Sequence, residues 1–406
     1  MVTNQQEKTG FALAKEDWIA LIKDDPKALV VALYMVLVGY GVLVGIPVIA
    51  TAWATKLGFS EIEVGRVAGM DLGGLSFGAV IAAWMINRVN RRLLVVIGIL
   101  IATTANIMCL KYVDYDQVLW LRLAAGFGSG IYSSVAIAVF GMSVRPALAY
   151  NLMLFSFAFS QALEMRFLPT LSMNGIYWVF IVCFLATLPF VPWLQSEAKT
   201  GPSDKGSTPE ISSPRFPSYL PWICLGAIFL TYVNIGSYWT YIELAALEGG
   251  TNAEFVGSVL IWVSLCSFLG CLVATLLSNR FGLLRPLLVA LSTTTLCVAI
   301  LIFGVSEAKF LASVLIFNLV WIFTDVYQMG SLANFDHGGR YSAYLPAAQG
   351  FGQMVGPNIS ASLLGANLGY SGVFAFCASA TLLALIVYGW LYLHLRKQYP
   401  DMAEAT

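Results

Sequence analysis

The sequence predicts an all-α integral membrane protein, with about twelve transmembrane helices in two pseudo-symmetric six-helix bundles. Three observations predict it. Of the 406 residues, 59% are hydrophobic and only 11% are charged, and the mean hydropathy is +0.78. A soluble domain carries roughly 25% charged residues, so this chain cannot cover its surface with groups that water solvates, and lipid must be part of its solvent. Runs of about 20 apolar residues, enough to cross a bilayer core, recur between short polar breaks. Features of the first half also return in the second at one fixed offset.

The elements follow in chain order. Residues 1–27 form a cytoplasmic tail. Met1–Gly10 is polar and lacks the apolar core of a cleaved signal. In "FALAKEDWIALIKDDPK", Phe11, Ala14, Trp18, Leu21 and Ile22 share one helical face, which predicts a short amphipathic helix on the membrane surface. Six apolar spans follow near 28–52, 62–86, 93–112, 117–142, 147–171 and 174–194, an N-terminal bundle over 28–195. Residues 196–217, "SEAKTGPSDKGSTPEISSPRFP", read as a flexible linker because Ser, Pro, Gly and charge dominate. Six more spans lie near 219–246, 254–277, 286–305, 308–333, 341–366 and 370–394, a C-terminal bundle over 218–395. Residues 396–406 are a second short tail.

Lysine and arginine set the orientation. With the N-terminus inside, Arg88, Arg91, Arg92, Arg145, Lys199, Lys205, Arg280, Arg285, Arg340, Arg396 and Lys397 fall in cytoplasmic segments. The outer loops hold Lys56, Lys111 and Lys309. Both termini are expected in the cytoplasm, and a plasma (inner) membrane location follows.

Asn87-Arg88 returns as Asn279-Arg280, an offset of 192 residues. Val64-Gly65 returns as Val256-Gly257, Gly78 as Gly270, Gln161 as Gln353 and Tyr40 as Tyr232. The second span of each half begins after a similar turn, "GFS" at 58–60 and "GTN" at 250–252, with Ser60 and Asn252 as expected N-caps. Parallel repeats of this kind are built around a substrate site between the halves at mid-membrane.

The arrangement resembles the major facilitator superfamily (MFS) of secondary transporters over about residues 28–395. The loop between spans two and three carries the resemblance. The family has Asp-Arg-x-Gly-Arg-Arg there, and this chain has Asn87, Arg88, Val89, Asn90, Arg91 and Arg92, with Asn279, Arg280 and Arg285 in the second copy. Span four adds "RLAAGFGSG", an arginine followed by spaced glycines. The departure is Asn87 and Asn279 in place of the acid. An amide hydrogen-bonds but forms no salt bridge, so the inside gate is expected either to be looser or to latch through Arg88 and Arg280 on helix C-terminal carbonyls. Span five, "FSFAFSQALEMRFLP", lacks the Gly-Pro pattern of the family's drug/proton antiporters, while span eleven carries "GQMVGPN".

Charges inside apolar spans are functional suspects, since each costs at least ~2.5 kcal/mol on insertion scales. They are Asp71, Arg122, Glu164, Arg166, Glu243 and Asp325. Rise per residue puts Asp71 roughly 13 Å and Arg122 roughly 7 Å below the outer surface, with Glu164 also in the outer half. The three are expected to form one polar cluster, Arg122 neutralising one acid and leaving the other to take a proton. The resemblance implies that spans one, four, seven and ten line the cavity, which brings Glu243 and Asp325 to the site. Tyr34, Tyr40, Tyr238, Trp239, Tyr241, Trp321 and Tyr327 are candidate walls, with Asn318, Gln161 and Gln353 as polar liners. Apolar walls with a few convergent polar groups describe a small-molecule site.

The seven cysteines lie in apolar runs without a CxxC or metal spacing, so they read as small buried hydrophobes. His337 and His394 fall in cytoplasmic segments. Net charge is +0, which gives no nucleic-acid bias. No nucleotide-binding loop stands out, and neither a cofactor nor a metal is expected. The reading is a monomeric, non-enzymatic secondary transporter. It moves a small organic solute by alternating access, coupled to protons. The alternative is a drug or amphipathic-metabolite/proton antiporter, and the remote alternative a non-transporting membrane sensor.

Overall fold

The chain is seen here in a computed structural model. It describes residues 25–398 apart from 87, 145, 195–216, 218, 278–282, 336–340 and 342–343. The tail and most of the predicted surface helix, the linker, Asn87, Asn279, Arg280 and His337 therefore lie outside the described residues.

Among the described residues there are twelve long helices and no strands. Helix α1 spans Pro26–Leu57 in two segments that meet at Tyr40. It is followed by α2 (Glu61–Met85), α3 (Arg91–Lys111), α4 (Tyr115–Gly141), α5 (Pro146–Phe167) and α6 (Met173–Leu185). The second half holds α7 (Tyr219–Glu248), α8 (Ala253–Leu277), α9 (Leu284–Ala299), α10 (Glu307–Phe335), α11 (Leu345–Gly365) and α12 (Gly369–Gln398). Among the described residues, ten spans are long and apolar enough to cross a membrane. The two helices outside that set, α5 and α11, are the fifth of their halves. Outward-facing side chains are apolar and large, Phe303 being 82% and Trp84 65% exposed, which suits contact with lipid rather than water.

Local chemistry starts these helices where the sequence places them. Asp25 accepts the Ala28 amide and Pro26 opens α1. Ser60 and Glu63 form a reciprocal capping box at α2, and Asn252 caps α8 through the Glu254 amide at 2.8 Å. Just before each cap the chain turns through a left-handed glycine, Gly58 at φ +74° and Gly250 at φ +80°. Those glycines are again 192 residues apart, so the repeat extends to backbone conformation.

Helices α2 and α4 approach closely enough to exclude side chains. A methyl group on Gly126 would lie 2.1 Å from the Asp71 carbonyl oxygen, and one on Gly78 2.1 Å from that of Phe127. Gly74/Gly78 and Gly126/Gly130 thus form facing small-xxx-small seams. The second half repeats the contact: a methyl on Gly270, the counterpart of Gly78, would meet the Leu319 oxygen of α10 at 2.0 Å.

The halves meet along α2–α11, α5–α8 and α1–α7. Hydrogen bonds that cross between them gather toward the face of the α1–α2 turn. There Trp239 Nε1 donates to Val44 O at 3.3 Å, Tyr241 to Glu61 O at 3.0 Å, and Arg66 to Asn358 Oδ1 at 3.1 Å and Ser362 Oγ at 2.8 Å. Deeper, ring contacts bridge them, Phe77 with Phe351 at 5.1 Å and Phe155 with Phe268 at 4.7 Å, together with the close approaches of Gly73 to Met354 and of Gly350 to Ser76.

At the opposite face the loop arginines bind within their own half. Arg88 donates to Trp84 O of α2 at 3.2 Å, and Arg92 to Leu194 O at 2.7 Å and Pro192 O at 2.8 Å, in and just after the short 3-10 segment that follows α6. Arg91 is buried against Met142 at the end of α4. In the second copy Arg285 donates to Tyr392 of α12 at 3.1 Å.

The seam makes a prediction. Gly126→Leu should force α2 from α4 and cost at least the ~1–3 kcal/mol of overpacking, read as a lower Tm and a loss of monodisperse protein. Gly226→Ala, where an added methyl meets nothing within 4 Å, should leave both unchanged.

Candidate functional site

The acids expected in one cluster separate into two places. Asp71 and Arg122 form a buried ion pair inside the N-terminal half, each 2% exposed. Arg122 donates to Asp71 Oδ2 through Nε at 2.7 Å and through the terminal nitrogen at 2.5 Å, and to Asn106 Oδ1 at 2.9 Å. The Asn106 amide is anchored in turn to Ala102 O at 2.7 Å. The Tyr177 ring lies 5.8 Å from the guanidinium. Both charges are paired within one half, so this trio ties α2, α3 and α4 together.

Glu164 lies elsewhere, on α5 against α1. It contacts Ser160 at 2.8 Å, and its other oxygen is buried without a partner. Sequence depth placed all three groups at a similar level but said nothing about which way each faces around its helix. Arg166 is exposed on another side of α5.

The junction between the halves carries the other two acids. Asp325 Oδ2 accepts the Tyr232 hydroxyl at 2.9 Å, and Gln349 Nε2 donates to the same hydroxyl at 2.9 Å. This chain links α10, α7 and α11. Asp325 Oδ1 is buried without a partner, as is the indole N–H of Trp321, one turn earlier and beside the same carboxyl. Trp321 packs edge-on against Trp239 at 6.2 Å. Tyr40 packs edge-on against Phe157 of α5 at 4.9 Å. Glu243 is 9% exposed and faces the Thr51 hydroxyl of α1, with neither group closing a hydrogen bond.

An acid oxygen in this setting has to be neutralised by a proton, a cation or a donor group. These two acids belong to α7 and α10: Asp325 is held by the Tyr232 hydroxyl, Glu243 faces a hydroxyl, and among the described residues neither is paired with arginine or lysine.

Several expected wall residues are placed differently. Tyr238 is fully buried inside the C-terminal half, stacked on Phe317 at 3.9 Å and bonded to Ser313 at 2.8 Å. Tyr327 is also fully buried, stacked on Phe323 at 4.6 Å. Asn318 holds Val314 O at 3.0 Å within the α8–α10 packing. Tyr34 donates to Cys183 O of α6 at 2.9 Å. Tyr241 lies at the α1–α2 face, and Trp239 is covered by α1. Gln161 and Gln353 are buried at 4% and 3% exposure. Tyr40, Trp321 and Asp325 keep partial exposure at the junction. Each displaced tyrosine sits on an apolar helix without a polar stripe, so hydropathy could not tell wall from interior.

Phe157, Gln349, Thr51 and the fully buried, unpartnered Asn234 were not expected. A signal was present for two of them. Phe157 and Gln349 are 192 residues apart, as are their partners Tyr40 and Tyr232, so one contact recurs in both halves, as rings in one and as a hydrogen bond in the other.

Twelve helices in two similar halves, enclosing acids at their junction, define a membrane transporter. The chain belongs to the Major Facilitator Superfamily, whose profile matches residues 31–335. Several solved structures share the fold. The nucleoside transporter NupG superposes with a TM-score of 0.71 at 11% identity, over 90% of this chain and 99% of that one. The human organic anion transporter MFSD10 (TETRAN) gives 0.63 at 14%, over 89% and 98%. A bacterial homologue of the human lysosomal transporter Spinster, inward-facing and unoccupied, gives 0.67 at 12%, over 93% and 98%. At such identities the likeness is one of fold. No curated protein sequence matches the chain.

The repeat supplies a test of the ion pair. The counterparts of Asp71, Asn106 and Arg122 are Val263, Val298 and Val314, all fully buried. Asp71→Val alone should strand a buried arginine and cost about 3–5 kcal/mol, whereas replacing all three by valine should recover most of it. Thermal unfolding of the purified variants checks this. A triple variant no more stable than the single would show that the trio does more than fill space.

Proposed function

We propose that this protein is a proton-coupled secondary transporter of a small organic solute, working by alternating access around the junction of its halves. The observation that carries the reading is the pair of acids, Asp325 on α10 and Glu243 on α7, each with a buried oxygen lacking a partner. A protein that must move these helices past α1 in lipid cannot expose a bare carboxylate on the way. Protonation supplies the neutral form. With the orientation read from lysine and arginine, the α1–α2 face is outside and both termini are in the cytoplasm of a plasma-membrane protein. The contacts of Trp239, Tyr241 and Arg66 then make the external closure, and a monomer suffices for the cycle.

The same groups bear on the cargo. Tyr40, Phe157 and Trp321 offer ring faces, and Asp325 with Gln349 offers polar selection. That chemistry suits a solute with an aromatic or apolar part and hydrogen-bond donors, nucleosides among them. It does not suit a strongly anionic one, since Arg122 is already paired. The same acids would equally serve antiport, so direction is decided by uptake and efflux assays rather than by the site.

A thermal-shift screen of the purified protein against a metabolite library at two pH values should identify a stabilising solute. In proteoliposomes, Asp325→Asn and Glu243→Gln should each abolish accumulation driven by a pH gradient while sparing solute exchange. If both variants still concentrate the solute against its gradient, the proton carrier is neither acid.

A further inference from the structure

We propose that Glu164 is a proton-binding site in the N-terminal half and that its proton sets the hinge of α1 through Ser160. The proposal goes beyond the transport reading, because it concerns a different acid and needs no solute.

The argument begins with one hydroxyl. Ser160 Oγ lies 2.9 Å from the Leu37 carbonyl oxygen of α1 and 2.8 Å from Glu164 Oε1. A serine hydroxyl has one proton to donate and lone pairs to accept with. If it donates to Leu37 O, the proton in the contact with Glu164 must belong to Glu164. The two distances fit a carboxylic acid donating to Ser160, which donates to Leu37, and that is the arrangement proposed here. An ionised Glu164 would draw the Ser160 proton to itself and leave the Leu37 carbonyl without that donor.

Leu37 is at the hinge. Helix α1 breaks at Tyr40, between segments Pro26–Gly39 and Gly41–Leu57. Two carbonyls in the last turn before the break take serine hydroxyls from neighbouring helices, Leu37 from Ser160 of α5 and Gly39 from Ser129 of α4. Beyond the break the acid rests on bare backbone. A methyl on Gly45 would lie 2.0 Å from Glu164 Oε2, and one on Gly41 2.9 Å from Oε1. Among the described residues, no charged side chain acts on the acid. The ionisable groups facing it are Cys183 of α6 and, bonded to the Cys183 carbonyl, Tyr34 of α1.

The other half shows that packing alone does not require this pair. The counterparts of Ser160 and Glu164 are Gly352 and Gly356. A methyl on Gly352 would meet Phe229 O at 2.6 Å, and one on Gly356 Val233 O at 2.3 Å and Ser237 Oγ at 2.8 Å. Phe229, Val233 and Ser237 are the counterparts of Leu37, Gly41 and Gly45. One seam, fifth helix against first, is thus glycine-packed in the C-terminal half and joined by a titratable acid in the N-terminal half. The segment beyond the hinge carries Val44, whose carbonyl holds Trp239 across the junction. Loss of the proton frees the hinge and slackens that closure.

Hydrogen–deuterium exchange of the full chain in nanodiscs, without solute and corrected for the intrinsic effect of pH, tests the proposal. Exchange over residues 37–44 should rise in the wild type as pH rises. Glu164→Gln, whose amide donates to Ser160 at every pH, should be slow and flat. Ser160→Ala should be fast and flat, and Ser160→Thr, which keeps the hydroxyl, should restore the response. Infrared difference spectra should lose a carboxylic-acid band in Glu164→Gln. A wild-type pH response in either Glu164→Gln or Ser160→Ala overturns the proposal, and the serine pair decides it alone if Glu164→Gln does not fold. Because no solute is present, failure here is distinct from failure of Asp325 or Glu243 as carriers.

Discussion

Lipid offers no hydrogen bond, and every polar group drawn into these helices must find its partner inside the protein. The Asp71–Arg122–Asn106 trio meets that constraint in full, with each charge paired and the amide anchored. The second half meets it by having three valines at the equivalent positions. Both solutions support the same helix packing, so the fold does not demand the charges. A buried ion pair is weak ground for stability, and its presence in one half only makes it a difference between the halves rather than a requirement of the architecture.

That comparison extends to other positions. The pair Tyr40 and Phe157 corresponds to Tyr232 and Gln349, rings on one side and a hydrogen bond to the Asp325 partner on the other. The seam of Ser160 and Glu164 corresponds to Gly352 and Gly356. Shared features, such as the left-handed glycines at 58 and 250 and the close approaches of Gly78 and Gly270, build the scaffold. Features found in one half alone include the trio within α2, α3 and α4, the Ser160–Glu164 seam of α5 on α1, and the Asp325–Tyr232–Gln349 chain of α10, α7 and α11. A duplicated scaffold thus separates what packing needs from what is left over, and the left-over groups are polar.

Much of the scaffold was legible in the sequence because lipid simplifies the code. A run of about 20 apolar residues has few other meanings, and caps such as Ser60 and Asn252 obey local rules. The site was less legible. Hydropathy reports how deep a residue lies and not which way it faces, so Asp71 and Glu164 seemed to share a place that α1 divides. Tyr238 and Tyr327 looked like walls because both are polar-tipped aromatics near an acid, yet each is buried within its own half. The break of α1 at Tyr40 left no sign in composition, since Gly39 and Gly41 are common in membrane helices. What would have recovered Phe157 and Gln349 was the repeat itself, applied to pairs of residues rather than to single matches.

The asymmetry of α1 and α7 gives the halves different mechanical roles. Helix α1 is broken in mid-span and contains Pro47, while its counterpart α7 runs unbroken from Tyr219 to Glu248. Pro47 removes a backbone donor from α1 and Tyr40 departs from helical dihedrals, so bending concentrates in α1 rather than in α7. Two of the bonds that close the α1–α2 face run from the continuous helix to the broken helix and the start of α2, Trp239 to Val44 O and Tyr241 to Glu61 O, and the others run from Arg66 of α2 to Asn358 and Ser362 of α11. The rigid partner presents the donors, and the flexible one presents backbone carbonyls that shift whenever the hinge does. Bending α1 would shift the Val44 carbonyl that Trp239 holds, whereas the Arg66 bonds to α11 and the Asp325–Tyr232–Gln349 chain of α7, α10 and α11 involve no residue of α1.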